Sequence, residues 1–308
     1  MDIASILLIV VGLTLFEGVS SIDNAIINAE ILSTMGARAR RFFITWGIFF
    51  AVFLVRGLLP WLIVWATVPS LGFLGAFTAT FSNDPAAGEA IERSAPILLL
   101  GGGIFLLFLF LHWLFLEPKN FGFPGERFFL SKGVWFYTVV SVLLSAIVWF
   151  ALERNTMAAF GAVVGSSVFF ITHGFRQQAE EMEARMLHDP KAMGMSDVSK
   201  VFYLEVIDLS FSIDGVLGAF AFTFSVPLIL IGNGFGAIMV RQLTIANIER
   251  VKRYKFLKNG AMYSILALGT IMIAEGFGAH VPVFLAPSVT ILAIGYFFAK
   301  SVREAARA

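Results

Sequence analysis

Nine apolar runs, each long enough to cross a bilayer core of ~30 Å as a helix, dictate what this chain can fold into. They fall at about 3–33, 42–68, 95–116, 133–152, 155–174, 199–224, 227–247, 257–278 and 282–300. Charged or Gly/Pro-bearing stretches separate them. Of 308 residues, 58% are hydrophobic and 14% charged, against roughly 25% charged in a soluble domain, so the chain lacks the polar surface that water requires. The reading is an all-α membrane protein of about nine transmembrane helices. The first run has no Lys or Arg before it and carries Glu17 and Asp23, which suits a retained helix better than a discarded leader. With no Cys, disulfides and thiolate metal sites are excluded.

Loop charges give an orientation. If the N-terminus is outside and nine helices alternate, eighteen Lys and Arg, from Arg38 to Arg307, fall on inside loops and the tail, and only Arg93 and Arg154 fall outside. That asymmetry obeys the positive-inside rule and supports the helix count, because one missed span would scramble it. The C-terminus is then cytoplasmic. Residues 73–81, aromatic and Gly-containing, read as interfacial. The charged segment 174–198 reads as a solvated continuation of the fifth span.

Few ionisable residues remain at membrane depth: Glu17, Asp23, Arg56, Glu205, Asp208, Asp214, Arg241 and Glu275, with His112 and His280 nearer helix ends. A charge at the bilayer centre costs roughly 2.5–3.5 kcal/mol on insertion scales. Five carboxylates in two helices therefore require a use, and two arginines cannot neutralise them. The two acidic helices are alike. Glu17-Gly-Val-Ser-Ser-Ile-Asp23-Asn24 and Asp208-Leu-Ser-Phe-Ser-Ile-Asp214-Gly215 both read acid, five residues, Asp. Each is followed by a helix with a lone Arg (Arg56, Arg241) and then by a Gly-bearing helix. We read a three-helix unit used twice, in opposite directions, over helices 1–3 and 6–8. Inverted repeats with a midplane site are a transporter arrangement. The chain is thus one polytopic membrane domain over 1–308: repeat one to about 116, connecting helices over 133–174, the charged segment, repeat two over 199–278 and a final helix.

Glu17, Ser21, Asn24 and Asn28 step by four, three and four along one helical stripe; Glu205, Asp208 and Ser212 form the matching one. Asp23 and Asp214 lie about 120° away from the first acid of each element. They reach the same site only if a helix unwinds, with Ser20-Ser21 and Gly215-Gly218 as the weak points, or if there is a second site. Carboxylate, amide and hydroxyl oxygens without Cys or a central His describe a hard divalent cation, for which Mn²⁺, Mg²⁺ and Ca²⁺ fit. Crowded carboxylates also hold protons that an incoming cation would expel, and no Walker-type loop supplies the work of export. An intramembrane aspartyl protease would need a Gly-x-Gly-Asp element and a retinal protein a buried Lys; neither pattern is present, and no enzymatic activity is expected. The Gly runs at 101–103 and 232–236 read as close helix packing rather than phosphate binding, and His112 and His280 as interfacial. No nucleic-acid partner is expected.

These residues resemble those of the TerC family of bacterial integral membrane proteins, and more narrowly a branch of it defined only as a domain of unknown function. Glu17 with Ile22-Asp23-Asn24 is similar to the family's first acidic signature. Glu205, Asp208-Leu209, Phe211, Ile213 and Asp214 are similar to its second. Asn233, Arg241, Arg56 and Phe256-Leu-Lys-Asn-Gly260 match further positions. Gly215 stands where the family often has Ser. The family is associated with tellurium resistance and metal homeostasis, includes manganese exporters and belongs with LysE-type transporters. The resemblance implies Mn²⁺ efflux across the bacterial inner membrane, with Glu17, Asp23, Asn24, Glu205, Asp208 and Asp214 as ligands. Ser21 and Ser212 join them from the stripes, and Arg56 and Arg241 compensate charge. It also implies an alternative, a partner of secretion machinery that loads metal onto exported proteins.

Overall fold

The computed structural model describes residues 2–47, 56–81, 85–188 and 196–306; some helical side chains, including those of Asp23, Asn24, Arg56 and Arg241, lie outside the described residues. Among the described residues no strand occurs, and the elements are α1 (Ile3–Ser20), α2 (Ile22–Ser33), α3 (Ala37–Phe42), α4 (Arg56–Thr67), α5 (Gly72–Phe81), α6 (Pro85–Leu116), α7 (Pro124–Leu130), α8 (Phe136–Leu152), α9 (Thr156–His188), α10 (Asp197–Ala219), α11 (Val226–Lys252), α12 (Leu257–Gly276) and α13 (Leu285–Ala305). Six helices among the described residues are long and apolar enough to cross a membrane: α1, the Ser94–Leu116 part of α6, α8 with its lead-in from Gly133, the Thr156–Gln178 part of α9, α12 and α13. They coincide with the first, third, fourth, fifth, eighth and ninth expected spans, the first only in part. The expected second span runs through residues 48–55, outside the described residues. Glu205, Asp208 and Asp214 interrupt α10, and the apolar part of α11 is the shorter Val226–Val240.

The surface carries a bilayer's signature. On α8 the buried residues Phe136, Val140, Ile147 and Ala151 form one helical stripe, whereas Trp149 is 67% exposed and Tyr137, Val142 and Phe150 are exposed beside it. An outward face of this kind is stable against lipid, not water. Inside, Phe16, Phe105, Phe108, Trp113, Phe136, Phe169 and Phe220 pack into one cluster.

Glycines set the helix contacts. A Cβ on Gly161 would lie 2.5 Å from the Ile97 carbonyl oxygen, and one on Gly165 would lie 2.0 Å from that of Gly101. α6 and α9 therefore run side by side in the same direction with their backbones in contact. Gly269 and Gly276 of α12 face Gly103 and Leu100, so α12 runs opposite to α6. Leu13 and Glu17 of α1 meet Gly232 and Gly236 of α11 in parallel, and the Thr14 hydroxyl donates to the Gly232 carbonyl at 3.1 Å. Phe16 and Glu17 meet Gly218 and Gly215 of α10, which runs the other way. Both Gly runs thus serve close packing, as expected.

The first apolar run is not one helix. It stops at Ser20 and restarts at Ile22. The Ser20 hydroxyl donates to the Glu17 carbonyl at 3.3 Å, and the Ser21 hydroxyl donates to Glu17 Oε1. Serines bonding back to the preceding turn compete with the helical ladder and bend it. The expected weak point at Ser20-Ser21 is present. That at Gly215-Gly218 is not, because α10 is continuous through both glycines.

Candidate functional site

Glu17 is 1% exposed and Asp214 7% exposed. They face one another where α1 crosses α10, within electrostatic reach. Gly215 makes this approach possible: a Cβ there would stand 2.7 Å from Glu17 Oε2. The helices are held at this separation by Phe16 against Gly218 and by Gly236 against the Glu17 side-chain stem. One turn of α11, between Gly232 and Gly236, presents Asn233, which is fully buried, and neither its amide oxygen nor its amide nitrogen has a hydrogen-bond partner among the described residues. Asp214 Oδ1 is likewise buried without one. Buried polar groups are nearly always bonded, so these unsatisfied atoms, carried by the two helices whose glycines close on Glu17, are polar capacity that no donor or acceptor among the described residues meets.

Asp214 Oδ2 accepts from the Arg176 guanidinium at 3.3 Å, in a pair whose side chains are only 15% and 10% exposed. The charge tally assigned Arg176 to an inside, solvated segment. Instead α9 carries it, as one helix from Thr156 to His188, against the acidic face of α10. The sequence signal was present: Arg176 lies just beyond an apolar run, close enough to reach back. The two arginines expected in this role, Arg56 and Arg241, have side chains outside the described residues, as do Asp23 and Asn24.

The remaining acids sit at a second level. Glu205 and Asp208 are half-buried, and Leu204 packs with Ile31, Leu32, Met35 and Phe43 near the end of α2. At 1.5 Å per residue, Glu205 is ~15 Å along α10 from Gly215. One ion cannot bind Glu205 and Asp214 together at the 2.0–2.6 Å of a hard cation. Glu205 Oε1 and Asn28 Oδ1 are buried without hydrogen-bond partners among the described residues. The Ser212 hydroxyl, 1% exposed, donates to the Asp208 carbonyl at 2.7 Å, leaving only its lone pairs for a ligand. Among the described residues no group of three His, Asp or Glu side chains converges to hold a metal; the first-level oxygens come from two carboxylates, a serine and an asparagine. Glu275, on α12, is half-buried and not part of either level.

Two features lay outside the sequence reading. Lys200, counted as an inside charge, is 7% exposed and donates to the Thr34 carbonyl and hydroxyl, clasping α10 to the end of α2. Glu126, on α7, is 1% exposed. It accepts from Gly122 N at 2.7 Å, Phe123 N at 3.1 Å, Asn259 Nδ2 at 3.2 Å and the Tyr263 hydroxyl at 2.9 Å. Nearby, the Glu117 carboxylate lies 3.3 Å from His112 Nδ1 and 2.8 Å from Lys258 Nζ. Burial pushes Glu117 upward, but the His112 bond and Lys258 outweigh it and hold the group well below the usual carboxylate range. Burial lowers Lys119 to about 8; its ammonium donates to the Trp113 and Leu114 carbonyls at the end of α6. His112, one turn from the end of α6, is buried, and His280 is exposed.

Residues 22–308 match the family described as Protein of unknown function (DUF475), and the chain belongs to that family. No curated protein and no solved structure matches it.

Proposed function

We propose that this member of the DUF475 family is a transmembrane divalent-cation transporter, exporting Mn²⁺ in exchange for protons. The observation that carries the reading is the set of buried polar atoms without a hydrogen-bond partner among the described residues, Asp214 Oδ1 and both amide atoms of Asn233, on the two helices whose glycines close on Glu17. Leaving each such atom unsatisfied costs about 1–3 kcal/mol, a cost that a cation with its hydrating water would relieve. The oxygen-only donors favour Mn²⁺, Mg²⁺ or Ca²⁺, and the TerC-like residues favour Mn²⁺ among them.

The first-level ligands are Glu17, Ser21, Asp214 and Asn233, with Asp23 and Asn24 completing the site from the start of α2. Glu205, Asp208 and Ser212 form a second level toward the cytoplasm, through which the ion is loaded. Arg176 neutralises Asp214 when no metal is bound; Arg56 and Arg241 do the same for the other acids. The parallel and antiparallel crossings of α1, α6, α9, α10, α11 and α12 are compatible with alternating spans; nine of them, with the N-terminus outside, in the bacterial inner membrane, is the arrangement we propose. They are also compatible with two inverted three-helix repeats. Export against a negative interior costs ~2.3 kcal/mol per charge per 100 mV, and protons displaced from the carboxylates provide the exchange.

In sealed proteoliposomes, Asp214→Asn and Glu17→Gln abolish Mn²⁺ flux, with an unchanged size-exclusion profile in detergent. Wild-type flux in both variants would move the site elsewhere. Tight Mn²⁺ binding by the wild-type protein with no flux at all would instead favour a metal-loading partner of secretion machinery.

A further inference from the structure

Where α2 ends, the sequence Arg38-Ala39-Arg40-Arg41 crowds three arginines together, and the structure puts them to two different uses. Arg40 turns back. Its Nε donates to the Leu32 carbonyl at 3.0 Å and a terminal nitrogen to that of Met35 at 3.3 Å, supplying donors that the end of a helix lacks. The same side of the segment is anchored throughout. Phe43 is buried with Ile31, Leu32, Met35 and Leu204, and the Gly36 amide donates to Asp197 Oδ2 at 3.1 Å.

Arg38 and Arg41 have no such use. Both are exposed, and neither makes a hydrogen bond or an ion pair among the described residues. Arg38, Arg41, Phe42 and Thr45 follow one another at i, i+3, i+4 and i+7, which is one helical face. A π-helical turn over Phe43–Gly47 follows α3. Its wider spacing keeps Trp46, five residues after Arg41, on that face. With Ala37 these side chains line one open cavity of about 540 Å³.

The lining suits neither water nor hydrocarbon alone. Phe42 and Trp46 are each about half exposed, next to two guanidiniums. A dissolved anion would answer the charges and leave the rings wet. A phospholipid with a net negative headgroup answers both. Its phosphate oxygens match the planar guanidinium donors, and its glycerol and upper acyl chain cover the rings at the depth where Trp concentrates. The position fits as well, because the second apolar run begins at Phe42, directly after the arginines. Basic residues flanking a membrane segment draw anionic lipids to the surface; here two of them and two aromatic rings also enclose a space.

We propose that Arg38, Arg41, Phe42, Thr45 and Trp46 form a binding site for one anionic phospholipid. The phosphodiester lies between the two guanidiniums, the Thr45 hydroxyl donates to a phosphate or glycerol oxygen, and the rings of Phe42 and Trp46 carry the glycerol and the start of an acyl chain. The site requires only that the chain spans a bilayer, so it stands or falls separately from the metal site.

The test uses the full chain in mild detergent in three forms: wild type, Arg38→Gln/Arg41→Gln, and a control, Lys132→Gln/Arg303→Gln, that removes two exposed charges elsewhere. Native mass spectrometry counts the lipids retained during titration with phosphatidylglycerol or with phosphatidylcholine. Neither arginine bonds to the described protein, so the lipid-free arginine variant melts within a few degrees of wild type. Wild type and control each retain one tightly held phosphatidylglycerol. Its apparent affinity falls at least about tenfold in the arginine variant, phosphatidylcholine binds all three alike, and excess inorganic phosphate does not displace the lipid. Equal phosphatidylglycerol affinity in wild type and arginine variant overturns the site. An equal loss in the control overturns it in favour of diffuse surface charge. Displacement by inorganic phosphate overturns the lipid assignment in favour of a dissolved anion.

Discussion

Two buried carboxylate corners of this molecule look alike by exposure and opposite by bonding. Glu126 and Glu17 are each 1% exposed. Around Glu126, two backbone N–H groups, the Asn259 amide and the Tyr263 hydroxyl all donate to the carboxylate. Lys300 ties the same loop down through the Gly122 carbonyl. Around Glu17, the neighbouring Asp214 leaves one oxygen unbonded among the described residues, and Asn233 leaves its whole amide. Burial alone therefore does not identify a functional acid. A saturated carboxylate is mortar for a loop; the corner with unspent donors and acceptors is the one we propose as the ligand site.

The sharpest way to break this contrast is to remove an acid from each corner. Glu126→Ala strands four donors, at about 1–3 kcal/mol for each that finds no new acceptor, and the 117–132 loop loses part of its attachment to α12, keeping the Asn259–Asn120 and Lys258–Glu117 contacts. The expected result is a loss of monodisperse protein in detergent or a large fall in melting temperature, with Glu126→Gln milder because one acceptor oxygen survives. Asp214→Asn should change melting by only a few degrees, because like-charge repulsion with Glu17 is lost along with the Arg176 pair. Equal destabilisation by Glu126→Ala and Asp214→Asn would mean that both corners are structural.

How much of this could be read from the sequence follows the same division. The apolar runs, the break at Ser20-Ser21 and the packing role of Gly101–Gly103 are local or periodic properties, and all three were legible. Glu126 was not. Its partners Asn259 and Tyr263 are more than 130 residues away, and nothing in Phe-Pro-Gly-Glu-Arg announces burial. Arg176 failed for a related reason: charge counting assigns a residue by the position of its Cα, whereas a long side chain acts where its guanidinium ends. The two acidic stripes fall on α1–α2 and α10. Their separation into two levels was hidden because Glu17 meets α10 opposite Gly215, a register fixed by glycine contacts between distant segments.

Gly215→Ala sharpens the comparison with a smaller effect. The added methyl would stand 2.7 Å from Glu17 Oε2, the mobile end of a side chain, so the carboxylate yields and the backbone does not. Mn²⁺ affinity in equilibrium binding should fall by about tenfold, or ~1.4 kcal/mol, with melting unchanged. Gly215→Ser should recover part of that loss by supplying a hydroxyl. A drop in melting temperature with unaltered affinity would show that Gly215 serves helix packing and not the ligand geometry.

The smallest expected effect lies beside the saturated corner, at Glu117. It pairs with Lys258, next to the Asn259 that serves Glu126, and with His112 of α6. Its carboxyl sits well below its ordinary value of 4.5, because His112 and Lys258 outweigh burial. A group with a lowered folded-state value binds fewer protons when folded than when unfolded. Its contribution is complete above the ordinary value and is lost progressively as pH falls toward the folded one. Glu117→Gln should therefore reduce stability by a constant amount at neutral pH and flatten the acid limb of the melting profile below roughly pH 5. The Glu117 side chain is 26% exposed and Lys258 36%, so water screens the pair and the stability it contributes is small. Parallel acid limbs in wild type and variant would show that the carboxylate is not held by these cations.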